Sequence, residues 1–158
     1  MRILAALTYY RPHVSGLTIY VERLARALVR RGHVVTVLTA QYDRTLPRYE
    51  QIHGVHVVRV PVFARISKGV LMPTIGIVAG KLVASHDALS LHLPQLDASG
   101  IALRGRLLRK PTVLTYHSDL TLPASLLSAV ANRVVDLSNQ VAARLCDVIC
   151  AYTDDFAR

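Results

Sequence analysis

Cysteine is scarce: Cys146 and Cys150 are the only two in 158 residues, and they lack the repeated pair spacing of a zinc module. Buried, reduced thiols are therefore expected. Acidic residues are also few, with 10 Asp and Glu against 19 Lys and Arg, giving a net charge of +9. Such an excess attracts nucleic acid, anionic lipid head groups or phosphorylated small molecules. Aromatic residues make up only 6% of the chain, and no basic motif interleaved with aromatics occurs, so no nucleic-acid partner is expected. Long apolar runs are missing too. Only Ile3 to Leu7 follow the opening Met-Arg before polar residues begin, too short for a signal-peptide core. The stretch Gly69 to Ser85 is broken by Pro73 and Lys81 and falls short of the roughly twenty residues that span a bilayer. A cytoplasmic location without a transmembrane helix follows. Internal repeats and low-complexity linkers are absent.

What is present is a globular composition, 52% hydrophobic and 18% charged, with room for one sizeable core in a single domain over 1–158. The most informative run is Ser15 to Thr39. Leu17, Val21, Leu24, Ala25 and Leu28 recur at helical spacing, with Arg23, Arg26 and Arg30 on the opposite side. Gly32 follows where a left-handed cap suits glycine, and Val34 to Thr39 reads as a β-branched strand. With the apolar strand before it, this is a β-α-β unit. Its Ser15-Gly16 start leaves backbone N–H groups at the positive end of a helix, which suits an anion such as a diphosphate.

Strands are expected at Arg2 to Leu7, Val34 to Thr39, Val55 to Val60, Ala88 to Leu93, Thr112 to Tyr116 and Asp147 to Ala151. Helical patterns at Thr18 to Arg31, Gly69 to Ala84, Asp97 to Arg109 and Ser125 to Leu145 separate them. Short apolar strands alternating with helices imply an α/β, Rossmann-like three-layer domain with a mainly parallel sheet. The connection from Thr39 to Val55 carries Pro47 and Gly54 and no convincing helix, so it reads as a loop. At the end, Thr153 to Arg158 resembles a cap and a first helical turn, and the chain is expected to be a fragment of a longer protein.

Ligands in open α/β sheets collect at the carboxyl ends of strands. The first such loop, Thr8 to Gly16, is long, aromatic and cationic. No G-x-G-x-x-G fingerprint is present, and Val34 to Thr39 is not followed by an acidic residue placed for a ribose, so a nicotinamide-dependent oxidoreductase is a poor third reading. His92 follows the fourth strand's core and His117 the fifth, both facing the expected crevice. With Asp119 they imitate a two-histidine, one-carboxylate triad, but no ligand pair lies on one helix face and the carboxylate is equally suited to cap a helix. No metal site is expected.

Taken in order, these segments resemble the N-terminal domain of family-4 retaining glycosyltransferases of the two-Rossmann-domain (GT-B) type. The matching pieces are Ser15-Gly16 for a Gly-Gly pair, Leu24-Ala25-Arg26-Ala27-Leu28, Gly32-His33-Val34-Val35-Thr36-Val37-Leu38-Thr39, Asp87 to His92, and Thr115-Tyr116-His117-Ser118. The resemblance implies transfer of a sugar from a nucleotide-sugar donor with retention of configuration, the donor being a co-substrate with no further cofactor. It implies that Ser15 and Gly16 meet the donor diphosphate and that His117 is catalytic, contacting the donor sugar. Tyr9, Arg11, His13, Thr18 and His92 are the implied acceptor contacts, the acceptor being a sugar, lipid or metabolite. The family's E-x7-E segment belongs to a second, donor-binding domain, so this chain alone is expected to be inactive or nearly so. The alternative is a non-catalytic sugar- or phosphate-binding module that pairs with a separate donor-binding subunit or docks on an anionic membrane. The arginines have two readings, solvated helix faces or a peripheral contact at the inner face of the membrane.

Overall fold

The structure, a computed structural model, describes residues 1–66, 69–117 and 126–151. In chain order the elements are β1 (Arg2–Ala6), α1 (Gly16–Arg30), β2 (Val34–Gln41), β3 (Tyr49–Ile52), β4 (Val55–Pro61), β5 (Ala64–Ile66), β6 (Gly69–Leu71), α2 (Ile75–Ser85), β7 (Ala88–Leu93), α3 (Ala98–Leu107), β8 (Thr112–Tyr116), α4 (Leu126–Leu145) and β9 (Val148–Ala151). Seven strands form one sheet in the order β3-β4-β2-β1-β7-β8-β9. All neighbouring pairs are parallel except β3 with β4. The chain leaves β1 toward β2 on one side and returns to pair β7 on the other. That reversal opens a crevice at the carboxyl ends of β1 and β7.

Strand pleating divides the core into two layers. Leu4 and Ala6, Leu38 and Ala40, Val58 and Val60, and Leu89, Leu91 and Leu93 face α2, α3 and α4, which contribute Ala79, Val83, Ala98, Ile101, Ala102 and Ala142. The alternate residues Ala5, Leu7, Val35, Val37, Val55 and Val57 face α1, which contributes Val21 and Ala25. Period-two alternation with apolar residues on both sides is what a sheet covered on both faces requires. The three-layer expectation is thus met.

Two segments differ from the sequence expectation. The Thr39 to Val55 connection contains a strand, β3, joined to β4 by a two-residue turn in which His53 and Gly54 have φ of 50° and 81°. Positive φ at both central positions is the turn that matches strand twist, normally signalled by Asn-Gly or Asp-Gly rather than His-Gly. The expected helix from Gly69 begins only at Ile75. Its first residues are instead β6, paired antiparallel with β5, and Pro73 separates strand from helix because it cannot donate a backbone hydrogen bond. Gly32 caps α1 as expected, with φ of 83°.

Candidate functional site

The loop from Leu7 to Ser15 enters the crevice, and each neighbouring element anchors it. The Leu7 N–H donates to the Leu38 carbonyl at 3.2 Å and the Ala40 N–H to the Thr8 carbonyl at 3.0 Å. Thr39 Oγ1 also donates to the Thr8 carbonyl at 3.0 Å, and Thr8 Oγ1 donates to the Pro94 carbonyl at 3.1 Å. On the far side Arg59, wholly buried on β4, donates from Nη2 to the Arg11 carbonyl at 2.7 Å and from Nη1 to the Pro47 carbonyl at 2.9 Å. Its charge is met by Glu50. A buried guanidinium is tolerated only when paired and hydrogen-bonded, so this arginine is a fixed strut between two loops.

Ser15 caps α1. Its Oγ accepts from the Thr18 N–H at 3.2 Å and lies 3.0 Å from Thr18 Oγ1, which in turn donates to the Tyr9 carbonyl at 3.2 Å. Thr18 is fully buried, so its side chain serves the loop's architecture. No acidic residue occupies the first turn. Gly16 is exposed, its φ is outside the left-handed region, and a Cβ added there would meet nothing within 4 Å. The fold does not require glycine at this position. Its lack of a side chain leaves the N–H groups of Gly16 and Leu17, which the Ser15 cap does not engage, open to approach.

His92 and His117 come together through the sheet register. His92 pairs with Thr115 across β7 and β8, and His117 lies two residues beyond Thr115 on the same face, a diagonal neighbour within reach of a ring. His92 Nδ1 is 3.2 Å from His117 Nε2. Ser90, two residues before His92 on that face, places its Oγ 3.1 Å from His92 Nε2. Tyr20, one turn into α1, stands edge-on to both rings, with centroids 4.9 Å from His117 and 5.9 Å from His92. The first turns of α1 and the histidine pair therefore share one wall of the crevice. Burial holds both imidazoles neutral: the His92 pKa is lowered to about 3 by desolvation, reinforced by the neighbouring His117, and desolvation lowers that of His117. Nearby, Gln95 is only 3% exposed, and its Oε1 has no partner among the described residues.

The other candidates separate. Tyr9 stacks on His13 with centroids 4.9 Å apart, and Tyr42, just beyond β2, stands edge-on to both. Arg11 turns away to the α1 side, where its Nε and Nη2 donate to Glu22 Oε2 at 2.8 and 2.5 Å. Tyr20, Ser90, Glu22, Tyr42 and Arg59 were not singled out by sequence. Of these, Ser90 was legible as the same-face neighbour of His92, and Tyr20 as the residue one turn after Gly16. Among the described residues no group of three or more His, Cys, Asp or Glu is placed to hold a metal; Ser118 and Asp119 lie outside them, as does the expected cap at Thr153. The expectation of two buried thiols needs correction. Cys146 is half-buried, with burial raising its pKa to about 11, while Cys150 on edge strand β9 is exposed.

The strand order and the crevice define a doubly wound, Rossmann-like α/β domain. Residues 15–158 match the glycosyl transferase 4-like domain, and the chain belongs to that family. An uncharacterized glycosyltransferase of Methanocaldococcus jannaschii is 49% identical over 61 residues, covering 38% of this chain and 15% of the relative. Among solved structures, sucrose-phosphate synthase from Thermosynechococcus elongatus aligns with a TM-score of 0.61 at 17% identity, covering 94% of this chain and 41% of that one. MurG of Acinetobacter baumannii aligns with a TM-score of 0.54 at 14% identity, covering 95% and 40%. These two likenesses are of fold. The chain spans about two-fifths of each of the two structures. Among the described residues no helix is long and apolar enough to cross a membrane.

Proposed function

We propose that this chain is the acceptor-side half of a retaining glycosyltransferase that moves a sugar from a nucleotide-sugar donor to a sugar, lipid or metabolite acceptor. The observation that carries this reading is the open N-terminus of α1 at Ser15 and Gly16, one turn from Tyr20, which touches His117. Negative charge develops on the diphosphate as it leaves, and aligned backbone N–H groups stabilise it without reorganising. His117, held neutral, acts as a hydrogen-bonding group toward the donor sugar rather than as a cation. Tyr9 and His13 line the acceptor side, with Thr18 holding their loop. Arg11, paired to Glu22, is an acceptor contact only when that pair opens, and His92 acts from behind His117.

A second, donor-binding domain completes the site and excludes water from it, and the 158-residue chain alone is inactive or nearly so. We place the enzyme in the cytoplasm, in contact with an anionic membrane surface. The net charge of +9 supports this, and salt-sensitive cosedimentation with anionic vesicles tests it.

The testing experiment screens nucleotide sugars with the longer protein and reads the anomeric configuration of the product by NMR. His117→Ala lowers turnover much more than it weakens donor binding. Unchanged turnover removes His117 from the catalytic role, and inversion of the anomeric centre overturns the retaining assignment.

A further inference from the structure

The reading above gives Ser90 no part and His92 only a place behind His117, yet their geometry is that of a relay. Ser90 Oγ, His92 Nε2, His92 Nδ1 and His117 Nε2 form a chain with links of 3.1 and 3.2 Å. His92 has no exposed surface, so it cannot itself touch a substrate. A buried imidazole needs a partner for each ring nitrogen, and these two contacts supply both. Tyr20 packs edge-on against both rings and limits their rotation.

We propose that Ser90 and His92 are positioning residues that fix the tautomer of His117: the Ser90 hydroxyl donates to His92 Nε2, and His92 Nδ1–H donates to His117 Nε2. In a neutral His117 the proton then resides on Nδ1, so the ring's other edge presents a donor. The opposite direction of the chain makes that edge an acceptor. The choice rests on the proposed glycosyl transfer, in which oxygens gain negative charge and a donor is the useful partner. Desolvation supports the neutral state of both rings. Fixing a tautomer through the other ring nitrogen is a recognised way for a protein to set what an imidazole offers.

The experiment is long-range proton–nitrogen NMR of the imidazole nitrogens in the 158-residue chain at pH 7.5, with the His117 signals assigned by their loss in His117→Gln. The expected result is a bare Nε2 and a protonated Nδ1 on His117. In His92→Phe that pattern gives way to a mixture of the two tautomers. His92→Asn, whose amide nitrogen falls near the place of Nδ1, restores it. Ser90→Ala, the mildest change, mixes the two tautomers while circular dichroism remains native. A protonated Nε2 on wild-type His117, or a His117 pattern indifferent to His92→Phe and Ser90→Ala, overturns the proposal. The readout contains no transfer step, so its failure is distinguishable from a failure of the assigned activity.

Discussion

Acid should destabilise this fold, and one buried side chain makes a contribution that can be isolated. In the native state His92 is wholly buried, with a pKa lowered to about 3 by desolvation; in the unfolded chain it returns to about 6.5. A histidine with a depressed native pKa stays neutral while the unfolded state takes up a proton. Stability is therefore full above about pH 6.5 and declines as pH falls toward the native value. Between pH 7 and pH 5 the linkage integral gives a loss of about 2 kcal/mol from His92 alone. Any native value below about 4 returns nearly the same figure, because the unfolded state sets the slope in that window. His86, buried between Thr36 Oγ1 at 2.8 Å and the Leu82 carbonyl at 2.6 Å, also has a lowered pKa, mainly from desolvation, and adds in the same direction. Asp97 opposes them: burial raises its pKa to about 6, so the native state gains a proton first, although its partly solvated carboxyl weakens the effect. Urea unfolding of the wild type and of His92→Asn at both pH values isolates the term, since the other groups titrate in both proteins. The variant should lose about 2 kcal/mol less than the wild type over that interval. Equal losses in the two proteins would mean that His92 is solvated in the native state, and the neutral histidine pair would fall with it.

Four further outcomes test the packing and the crevice. Gly105→Ala places a methyl group 2.6 Å from Leu89 Cδ1 and 2.7 Å from Thr112 Oγ1, and overpacking of that kind should cost about 1–3 kcal/mol in urea unfolding. Ser15→Ala removes the cap from the Thr18 N–H, at about 1 kcal/mol by the same assay. Gly16→Ala meets no neighbour within 4 Å, so thermal unfolding should show an unchanged or slightly raised midpoint, while the added methyl reduces binding of a nucleoside diphosphate measured by calorimetry with the longer protein. Glu50→Ala leaves the buried Arg59 guanidinium without its carboxylate, should cost about 3 kcal/mol, and exposes the loop around Pro47 to limited proteolysis.

Much of the fold was legible because its strands are short, apolar and separated by amphipathic patterns. Ala88 to Leu93 and Thr112 to Tyr116 agree with the structure at both ends, since Pro94 and Pro111 bound them. β3 was not legible: Tyr49-Glu50-Gln51-Ile52 has neither an apolar face nor a familiar turn signal, and it exists because β4 offers an edge and His53-Gly54 adopts positive φ. Gly69 to Leu71 read as helix because three apolar residues fit either period; tertiary pairing with β5 decided the matter. For the site, residue type and position at strand ends located His92 and His117, but their 3.2 Å approach depends on the register of β7 with β8, which no local pattern encodes. Arg11 shows the converse. Its chemistry marked it as an anion ligand, and only the fold reveals Glu22 one helical turn past Thr18 to receive it.

That fate of Arg11 bears on which chemistry the crevice favours. An arginine reserved for an anionic acceptor would be held open by neutral neighbours, whereas here two of its nitrogens are committed to one carboxylate oxygen. Glu22 is itself only 11% exposed by side chain, with Arg26 at 3.9 Å and His53 at 4.0 Å from its other oxygen. Releasing Arg11 would leave that buried carboxylate with weaker partners, at a cost of the order of a few kcal/mol. The helix terminus at Gly16 demands no such release, because its donors are backbone groups whose approach the missing side chain leaves clear. On the proposed function, anion recognition in this half of the crevice therefore belongs first to the start of α1. With its pair to Glu22 closed, Arg11 anchors the loop that carries Tyr9 and His13, joined in that task by the guanidinium of Arg59 on its carbonyl.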